Sequence, residues 1–243
     1  MIKELNTFCG HIYEQGIQDC YTLIRDFYKT RYQMELTNYA RPNNWIQDPN
    51  LDFFSRLFER EGFEVTYLSV KQDGLLDIND LKGAMRDDTI LVSVMHVNNE
   101  LGVIQDMQAI GELCREHGVL FHVDGAQSVG KIAIDLAHMP IDLLSISAHK
   151  IYGPKGMGAL YVRRRPKINL VAQIHGGGHE RGIRSGTLPV PNIVGLGKAC
   201  ELAENVMVEE YKMIGTLRDK LLKAIIKETP NVKVNGSIKK RLP

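Results

Sequence analysis

Short apolar runs alternate with helix-like stretches along most of the chain after residue 52. The apolar runs are four to eight residues long and rich in branched or aromatic side chains, which is typical of buried strands. Such runs occupy residues 63–70, 89–95, 119–124, 141–147 and 158–163.

Helical patterns separate these runs. Asp77, followed by Asp80, has the character of a helix N-terminus and predicts a helix through Met85. Residues 107–117 place apolar side chains on one helical face, and Gly118 follows where a C-terminal cap belongs. Further helical patterns cover residues 53–61 and 191–228.

Alternating strands and helices predict an α/β fold built on a mainly parallel sheet with flanking helices. In such sheets, ligands bind beyond the carboxyl ends of the strands. Polar residues follow three of the predicted strands, so the pattern predicts a ligand site at one edge of the sheet. The three clusters are His96, Asn98 and Asn99; Asp124 and Gln127; and Ser147, His149 and Lys150.

Composition narrows the class of protein. The 243 residues include 30 Lys and Arg and 29 Asp and Glu, a formal net charge of +1. This balance argues against nucleic-acid binding and against a membrane-surface protein. No apolar run approaches the ~20 residues of a membrane span, and the N-terminus lacks the apolar region of a secretory signal. The four cysteines have no zinc-site or disulfide spacing, so we expect a cytoplasmic protein without a metal.

The residues at the strand ends match the needs of one cofactor. A lysine amine can form a Schiff base with an aldehyde, and a carboxylate can keep a pyridine nitrogen protonated. An amide can donate to a phenolate oxygen, and a hydroxyl with an imidazole can bind a phosphate. The set predicts a pyridoxal phosphate site. Taken singly, Asp124 could cap the following segment, Lys150 could be a surface charge, and Asn99 could be a turn residue.

Four long motifs stand out along the chain: MHVNNELGVIQD (95–106), HVDGAQSVGK (122–131), SAHKIYGPKGMGALYVRR (147–164) and HGGGHERGIRSGTLPV (175–190). They closely resemble motifs of the NifS/IscS-type cysteine desulfurases of the class V aminotransferase family. These are fold-type I enzymes that use pyridoxal 5'-phosphate to take sulfur from L-cysteine, leaving L-alanine and an enzyme-bound persulfide for iron–sulfur cluster and thio-cofactor assembly. The resemblance runs from about residue 56 to the C-terminus.

The resemblance implies roles for individual residues. Lys150 matches the lysine that binds the cofactor aldehyde, and His149 beside it matches a catalytic and cofactor-contacting residue. Asp124 matches the partner of the pyridine nitrogen, and Gln127 matches the donor to the phenolate oxygen.

Three more residues match cofactor contacts of the family. Ser147 corresponds to a phosphate or ring contact, and Asn99 to an asparagine that touches the cofactor. Thr187 corresponds to a residue that reaches the phosphate held by the neighbouring subunit, which implies a homodimer. One departure is Gly125–Ala126, where the family more often has Ala–Thr.

Larger departures affect the expected activity. Residues 1–55 contain neither the family's phosphate-binding turn nor its ring-stacking histidine, and the chain ends before the loop with the sulfur-accepting cysteine. Cys114 and Cys200 lie on apolar helical faces and are expected in the core. We therefore expect residues 54–243 to form a partial cofactor-binding large domain, without the C-terminal small domain and impaired in desulfuration by itself.

The first 53 residues have a different character. Residues 11–45 resemble the start of an NlpC-type cysteine peptidase of phage tails, with Cys20 at the position of the nucleophile. The alternative is a packing helix in which Cys20 is incidental. Residues 1–53 are therefore interpreted as an unrelated segment, a peptidase remnant joined by fusion or by a frame error.

Three functions stay open at this stage. The first is a desulfurase-like protein that binds pyridoxal phosphate and L-cysteine, as a homodimer, with sulfur-acceptor or scaffold proteins as further partners. The second is a non-catalytic module that dimerises with a full-length desulfurase through residues 175–187. The third is an inert fusion fragment.

Overall fold

The structure is a computed structural model, and it describes residues 62–243. The chain divides into two units, Met1–Tyr67 and Leu68–Pro243, and the helices and strands of the described residues all belong to the second unit. The helix predicted at 53–61, the segment 1–53 and Cys20 lie outside the described residues. Residues 63–70 were predicted as a strand, and this is wrong: they contain none. Branched and aromatic side chains favour extended backbone, but they do not by themselves supply strand pairing.

The other predicted elements are present, and their ends differ from the prediction by at most two residues. The first half contains α1 (Ile78–Ala84), β1 (Leu91–Met95), α2 (Met107–Glu116) and β2 (Leu120–Asp124). The second half contains β3 (Leu143–Ser147), a 3₁₀-helix (Ala148–Ile151), β4 (Gly158–Val162), a short 3₁₀-helix (Glu180–Gly182) and α3 (Val190–Glu228).

The four strands form one sheet in the order β1-β2-β3-β4. The first three strands run parallel, with Met95 opposite Asp124 and Asp124 opposite Ser145. β4 turns back and runs antiparallel to β3, so that Gly158 pairs with Ser147. The prediction of a mainly parallel sheet with flanking helices is confirmed.

The main core lies between α2 and one face of the sheet. Asp106 caps α2 by accepting a 3.1 Å hydrogen bond from the Ala109 amide, and Gly118 follows the helix with a φ of +67°. α2 buries four apolar side chains against Phe121 and Val123, which are fully buried in β2. Because neighbouring residues of a strand point to opposite faces, His122 and Asp124 lie on the other face. The apolar residues of α2 are Met107, Ile110, Leu113 and Cys114.

A second, smaller core supports the 3₁₀-helix that follows β3. Leu196 and Ala199 of α3 are buried against Ala148 and Ile151. They are the only buried residues among the 39 of α3. The first turns of α3 therefore form the floor beneath the segment that carries His149 and Lys150.

Candidate active site

The carboxyl ends of β1, β2 and β3 meet at one edge, because the three strands are parallel and adjacent. Each of the three polar clusters predicted from the sequence follows one of these strands. A main-chain hydrogen bond links the clusters after β1 and β2, because the His96 amide donates to the Asp124 carbonyl oxygen over 3.0 Å. The sheet thus brings the three clusters to a common edge.

After β2, the chain enters a compact turn that fixes Asp124 and Gln127. The Asp124 Oδ1 atom accepts a 2.9 Å hydrogen bond from the Ala126 amide, and within residues 62–243 its Oδ2 atom accepts none. The Gly125 carbonyl oxygen accepts from the amides of Ser128 and Val129. Asp124 and Gln127 are both half-buried, so each keeps a polar group in reach of a ligand.

Gly125 packs too closely to carry a side chain without movement. A Cβ at this position would lie 2.6 Å from Leu144 Cδ1 and 3.0 Å from the Ser145 carbonyl oxygen. The glycine that departs from the family pattern therefore matches its surroundings in this chain, and it leaves Asp124 and Gln127 in place.

After β3, the 3₁₀-helix has buried residues at its two ends and exposed residues between them. Ala148 and Ile151 are buried, whereas His149 and Lys150 are exposed. The Ser147 hydroxyl lies 3.0 Å from His149 Nδ1 and holds the ring. Two further hydrogen bonds close the segment: the Ala148 amide donates to the Met157 carbonyl oxygen, and the Gly153 amide donates to that of Ala148.

After β1, a tight turn presents Asn99. The Asn98 Oδ1 atom accepts from the amides of Glu100 and Leu101 at 3.0 and 2.7 Å, which leaves Asn99 exposed at the tip. Asn99 and Gln127 both line a cavity of about 440 Å³, together with Arg218 and Arg241. The structure thus brings Asn99 to the side of the site where Gln127 lies.

His96 sits beneath this turn with an exposed fraction of only 3 %. Its Nδ1 atom has no hydrogen-bond partner within the described part of the chain. Burial lowers the pKa of His96 to about 4, so the ring is neutral at pH 7. His96 is therefore an enclosed, uncharged ring in the segment that follows β1.

Thr187 makes no side-chain hydrogen bond to the other candidates within residues 62–243. It is exposed in the loop 175–187, where the Gly178 amide donates to the Ser185 hydroxyl over 3.2 Å. Between Gly62 and Pro243, no hydrogen bond joins Thr187 to Asn99, Asp124 or Lys150. Its role at a neighbouring subunit stays a prediction.

Sequence reasoning missed Lys131. Its Nζ atom donates to Gln127 Oε1 over 3.2 Å, and the side chain is half-buried. Burial and the nearby positive charge of Lys150 lower the pKa of Lys131 below its ordinary value. The position of Lys131 four residues after Gln127 was the available signal, but it acquires meaning only in the folded turn.

Sequence reasoning also missed a hydrogen-bond ladder across the three parallel strands. His122 Nδ1 lies 2.8 Å from the Ser93 hydroxyl, and His122 Nε2 lies 2.8 Å from the Ser145 hydroxyl. Burial lowers the pKa of His122, with the charge of Asp124 opposing this effect. The ladder ties the strands together one pleat before Asp124 and Ser147.

The site residues fit pyridoxal phosphate by the chemistry of their donors and acceptors. Lys150 offers an exposed amine, Asp124 a carboxylate oxygen, and Gln127 an amide. Ser147 and His149 add a hydroxyl and an imidazole beside the amine. Within residues 62–243, no group of three or more His, Cys, Asp or Glu side chains could hold a metal ion. In the same part of the chain, no helix is long and apolar enough to cross a membrane.

The family model for the class V aminotransferases matches residues 50–243. The chain belongs to this family. Pyridoxal phosphate is the family's cofactor, and the predictions of fold class and cofactor are confirmed at that level. The individual roles of the site residues and the boundary near residue 53 stay predictions.

Within the family, the chain is similar to cysteine desulfurases. It is 60 % identical over 188 residues to the cysteine desulfurase IscS of Proteus mirabilis, covering 77 % of this chain and 46 % of that protein. The IscS of Pasteurella multocida is also 60 % identical, over 187 residues, with the same coverage. The chain thus spans about half the length of the curated relatives that it matches.

Solved structures give the same picture. A NifS-like protein superposes with a TM-score of 0.74 at 36 % identity, over 79 % of this chain and 52 % of that one. DndA from Streptomyces lividans gives a TM-score of 0.72 at 40 % identity, over 79 % and 54 %. SspA in complex with cysteine gives 0.59 at 50 % identity, over 62 % and 44 %.

Proposed function

We propose that this chain carries the cofactor-binding part of a cysteine desulfurase and binds pyridoxal phosphate through Lys150. The observation that carries the proposal is the meeting of Asp124, Gln127 and Lys150 at the carboxyl edge of three adjacent parallel strands. The desulfurases among its relatives, and the solved relative bound to cysteine, support L-cysteine as the substrate.

The chain's own residues divide the work as follows. Lys150 supplies the amine that reacts with the cofactor aldehyde. Asp124 would bind the ring nitrogen through Oδ2, because its Oδ1 atom is held by the Ala126 amide. Gln127 donates to the ring's anionic oxygen. When bound, the cofactor supplies an electron sink that weakens bonds at the substrate's α- and β-carbons.

His149 and its neighbours handle the phosphate and a proton. The Ser147 hydroxyl engages His149 Nδ1, so Nε2 is left to hold or move a proton at the exposed face of the site. Ser147 and Asn99 complete the cofactor contacts. Thr187 contacts the phosphate in a neighbouring subunit, so a homodimer completes two shared sites.

The sulfur must be taken up by a thiol other than the two cysteines in residues 62–243. Cys114 is 1 % exposed, and burial together with the negative charge of Asp142 raises its thiol pKa to about 11. Cys200 packs beside the second core. A thiolate acceptor from outside these residues, such as an acceptor protein in the reducing cytoplasm, receives the sulfur, and L-alanine is the other product.

A second function is supported by the loop 175–187. Its glycines, Thr187 and most of its other residues are exposed, as expected of a subunit contact. In this alternative, the chain dimerises with a full-length desulfurase and changes that partner's activity. Co-purification of tagged chain and full-length desulfurase tests it, and Thr187→Ala should then alter the partner's activity.

The main experiment is an absorbance titration of the purified chain with pyridoxal phosphate, followed by addition of L-cysteine. We expect a new visible band that Lys150→Ala abolishes and that cysteine perturbs. The matched control is Lys155→Ala, because Lys155 is an exposed lysine of the same connection, five residues on. A folded wild-type chain without a Lys150-dependent band would refute the proposal.

A further inference from the structure

The contact between Lys131 and Gln127 determines which end of the Gln127 side-chain amide faces the lysine. Lys131 Nζ lies 3.2 Å from Gln127 Oε1, in the turn that follows β2. The turn itself is held by main-chain bonds, with the amides of Lys131 and Ile132 both donating to the Ser128 carbonyl oxygen. Ser128 is fully buried, so this turn is anchored to the body of the unit.

An ammonium group has three donors and no acceptor. The end of the Gln127 amide that faces Lys131 must therefore be the oxygen. The two ends of an amide have nearly the same shape, so packing alone does not choose between them. In residues 62–243, the Gln127 NH₂ group donates no hydrogen bond. The lysine thus leaves that end as a donor for a ligand.

We propose that Lys131 is a positioning residue that orients the Gln127 side chain so that its NH₂ group donates to an anionic oxygen of the bound ligand. The inference rests on the proposed function, in which that oxygen belongs to the cofactor ring. Without Lys131, the amide can turn over and present its own oxygen, which would repel the ligand's oxygen.

The surroundings of Lys131 support this role. Lys131 is half-buried, whereas Lys155 is exposed. Burial and repulsion by Lys150 both disfavour its charge and lower its pKa. Gln127 lines the cavity of about 440 Å³, so the amide borders open space where a ligand can lie. The contact with Gln127 Oε1 is the one hydrogen bond that the Lys131 side chain makes within residues 62–243, so the geometry commits this lysine to that amide.

The test uses the full chain in three forms: wild type, Lys131→Met and Lys131→Arg. Methionine keeps the unbranched shape and most of the length of the side chain but removes the donors, whereas arginine keeps donors and charge. Lys155→Met is the matched control. Heteronuclear NMR of the side-chain amides, without cofactor, reports whether Gln127 changes its partner. The remaining amide signals show that each variant is folded.

In the cofactor-free protein, we expect Lys131→Met to shift the Gln127 NH₂ signals and speed their exchange with water. Lys131→Arg should stay close to wild type. Unchanged Gln127 signals in folded Lys131→Met would overturn the inference, whether or not the chain binds the cofactor.

With pyridoxal phosphate bound, the visible absorbance band is recorded as the pH is varied. The measured quantity is the pH at which half of the change in that band has occurred. Losing a donor to the ring oxygen should raise this midpoint by about one pH unit in Lys131→Met, with recovery in Lys131→Arg. A Lys150-dependent band whose midpoint is the same in Lys131→Met would overturn the inference and leave the proposed function standing. Absence of that band in wild type would refute the proposed function, and the Gln127 signals would then decide the inference.

Discussion

Gly111 of α2 lies directly against Pro140. A Cβ on Gly111 would come within 2.5 Å of the Pro140 carbonyl oxygen and 2.6 Å of its Cγ atom. Contacts this short do not occur in folded proteins, so the helix can approach the segment before β3 only because residue 111 has no side chain.

We expect Gly111→Ala to lower the free energy of unfolding by about 1–3 kcal/mol, because the helix must move away from Pro140. Urea denaturation measures the change. Gly197→Ala is the matched control, since Gly197 lies inside α3 with nothing within 4 Å of the added Cβ. The control should gain about 0.5–1 kcal/mol from helix propensity. Equal effects in the two variants would contradict the close approach.

Arg163 fastens the segment before β3 to the end of β4. Its guanidinium donates to the carbonyl oxygens of Met139 and Ile141, at 2.7 and 2.6 Å, and lies 3.4 Å from the Asp142 carboxylate. Arg163→Met should cost about 2–3 kcal/mol, because charged hydrogen bonds to two carbonyl oxygens are lost. Arg164→Met, at an exposed neighbour, should change thermal stability little. A cost at Arg164 as large as at Arg163 would argue against this arrangement.

Because the pKa of buried His96 is lowered, we expect the folded chain to lose stability in mild acid. Its pKa is about 4 in the folded chain and about 6.5 when unfolded, so the unfolded state takes up the proton first as the pH falls. The stability from the neutral ring is complete above about pH 6.5 and declines toward pH 4, by roughly 3 kcal/mol in total.

Urea denaturation of wild type and His96→Leu at several pH values isolates this contribution. The variant should lose less stability between pH 7 and pH 4.5, because leucine does not titrate. Burial also lowers the pKa of His122, but that imidazole is present in both proteins and cancels in the comparison. Parallel pH curves for the two proteins would show that His96 does not titrate as its burial requires.

Cys114 should resist thiol reagents in the native protein. Both its burial and its raised thiol pKa, about 11, keep the reactive thiolate scarce. Peptide mass mapping after a short treatment with iodoacetamide should find Cys114 unlabelled, and Cys200, which is half-buried, labelled first of the two. Treatment in denaturant is the control, in which both peptides should react. Rapid native labelling of Cys114 would contradict its place in the core.

Local patterns predicted the elements well because their signals are local. In α2, the apolar stripe and Gly118, on which the prediction rested, lie within twelve consecutive residues, 107–118. The common edge of the site was predictable too, because parallel strands end on the same side. The strand predicted at residues 63–70 was wrong, because branched and aromatic side chains occur there without a pairing strand.

The contacts that the sequence did not reveal depend on register and on turn geometry. Ser93 bonds His122 only because β1 and β2 pair with these two residues opposite each other. A shift of one residue would send the two side chains to different faces. Lys131 likewise meets Gln127 through the shape of the turn after β2, which no periodicity encodes.

The closed segment after β3 has a consequence for how Lys150 meets a reactant. Ser147 and Gly158 are paired across β3 and β4, and the Ala148 amide is bonded to the Met157 carbonyl, so the chain leaves and re-enters the sheet at the same place. The backbone of Lys150 has therefore already lost its conformational freedom when the protein folds. An incoming carbonyl compound has to restrain only the lysine side chain. The affinity of the protein for that compound is therefore not lowered by the entropy of fixing the main chain.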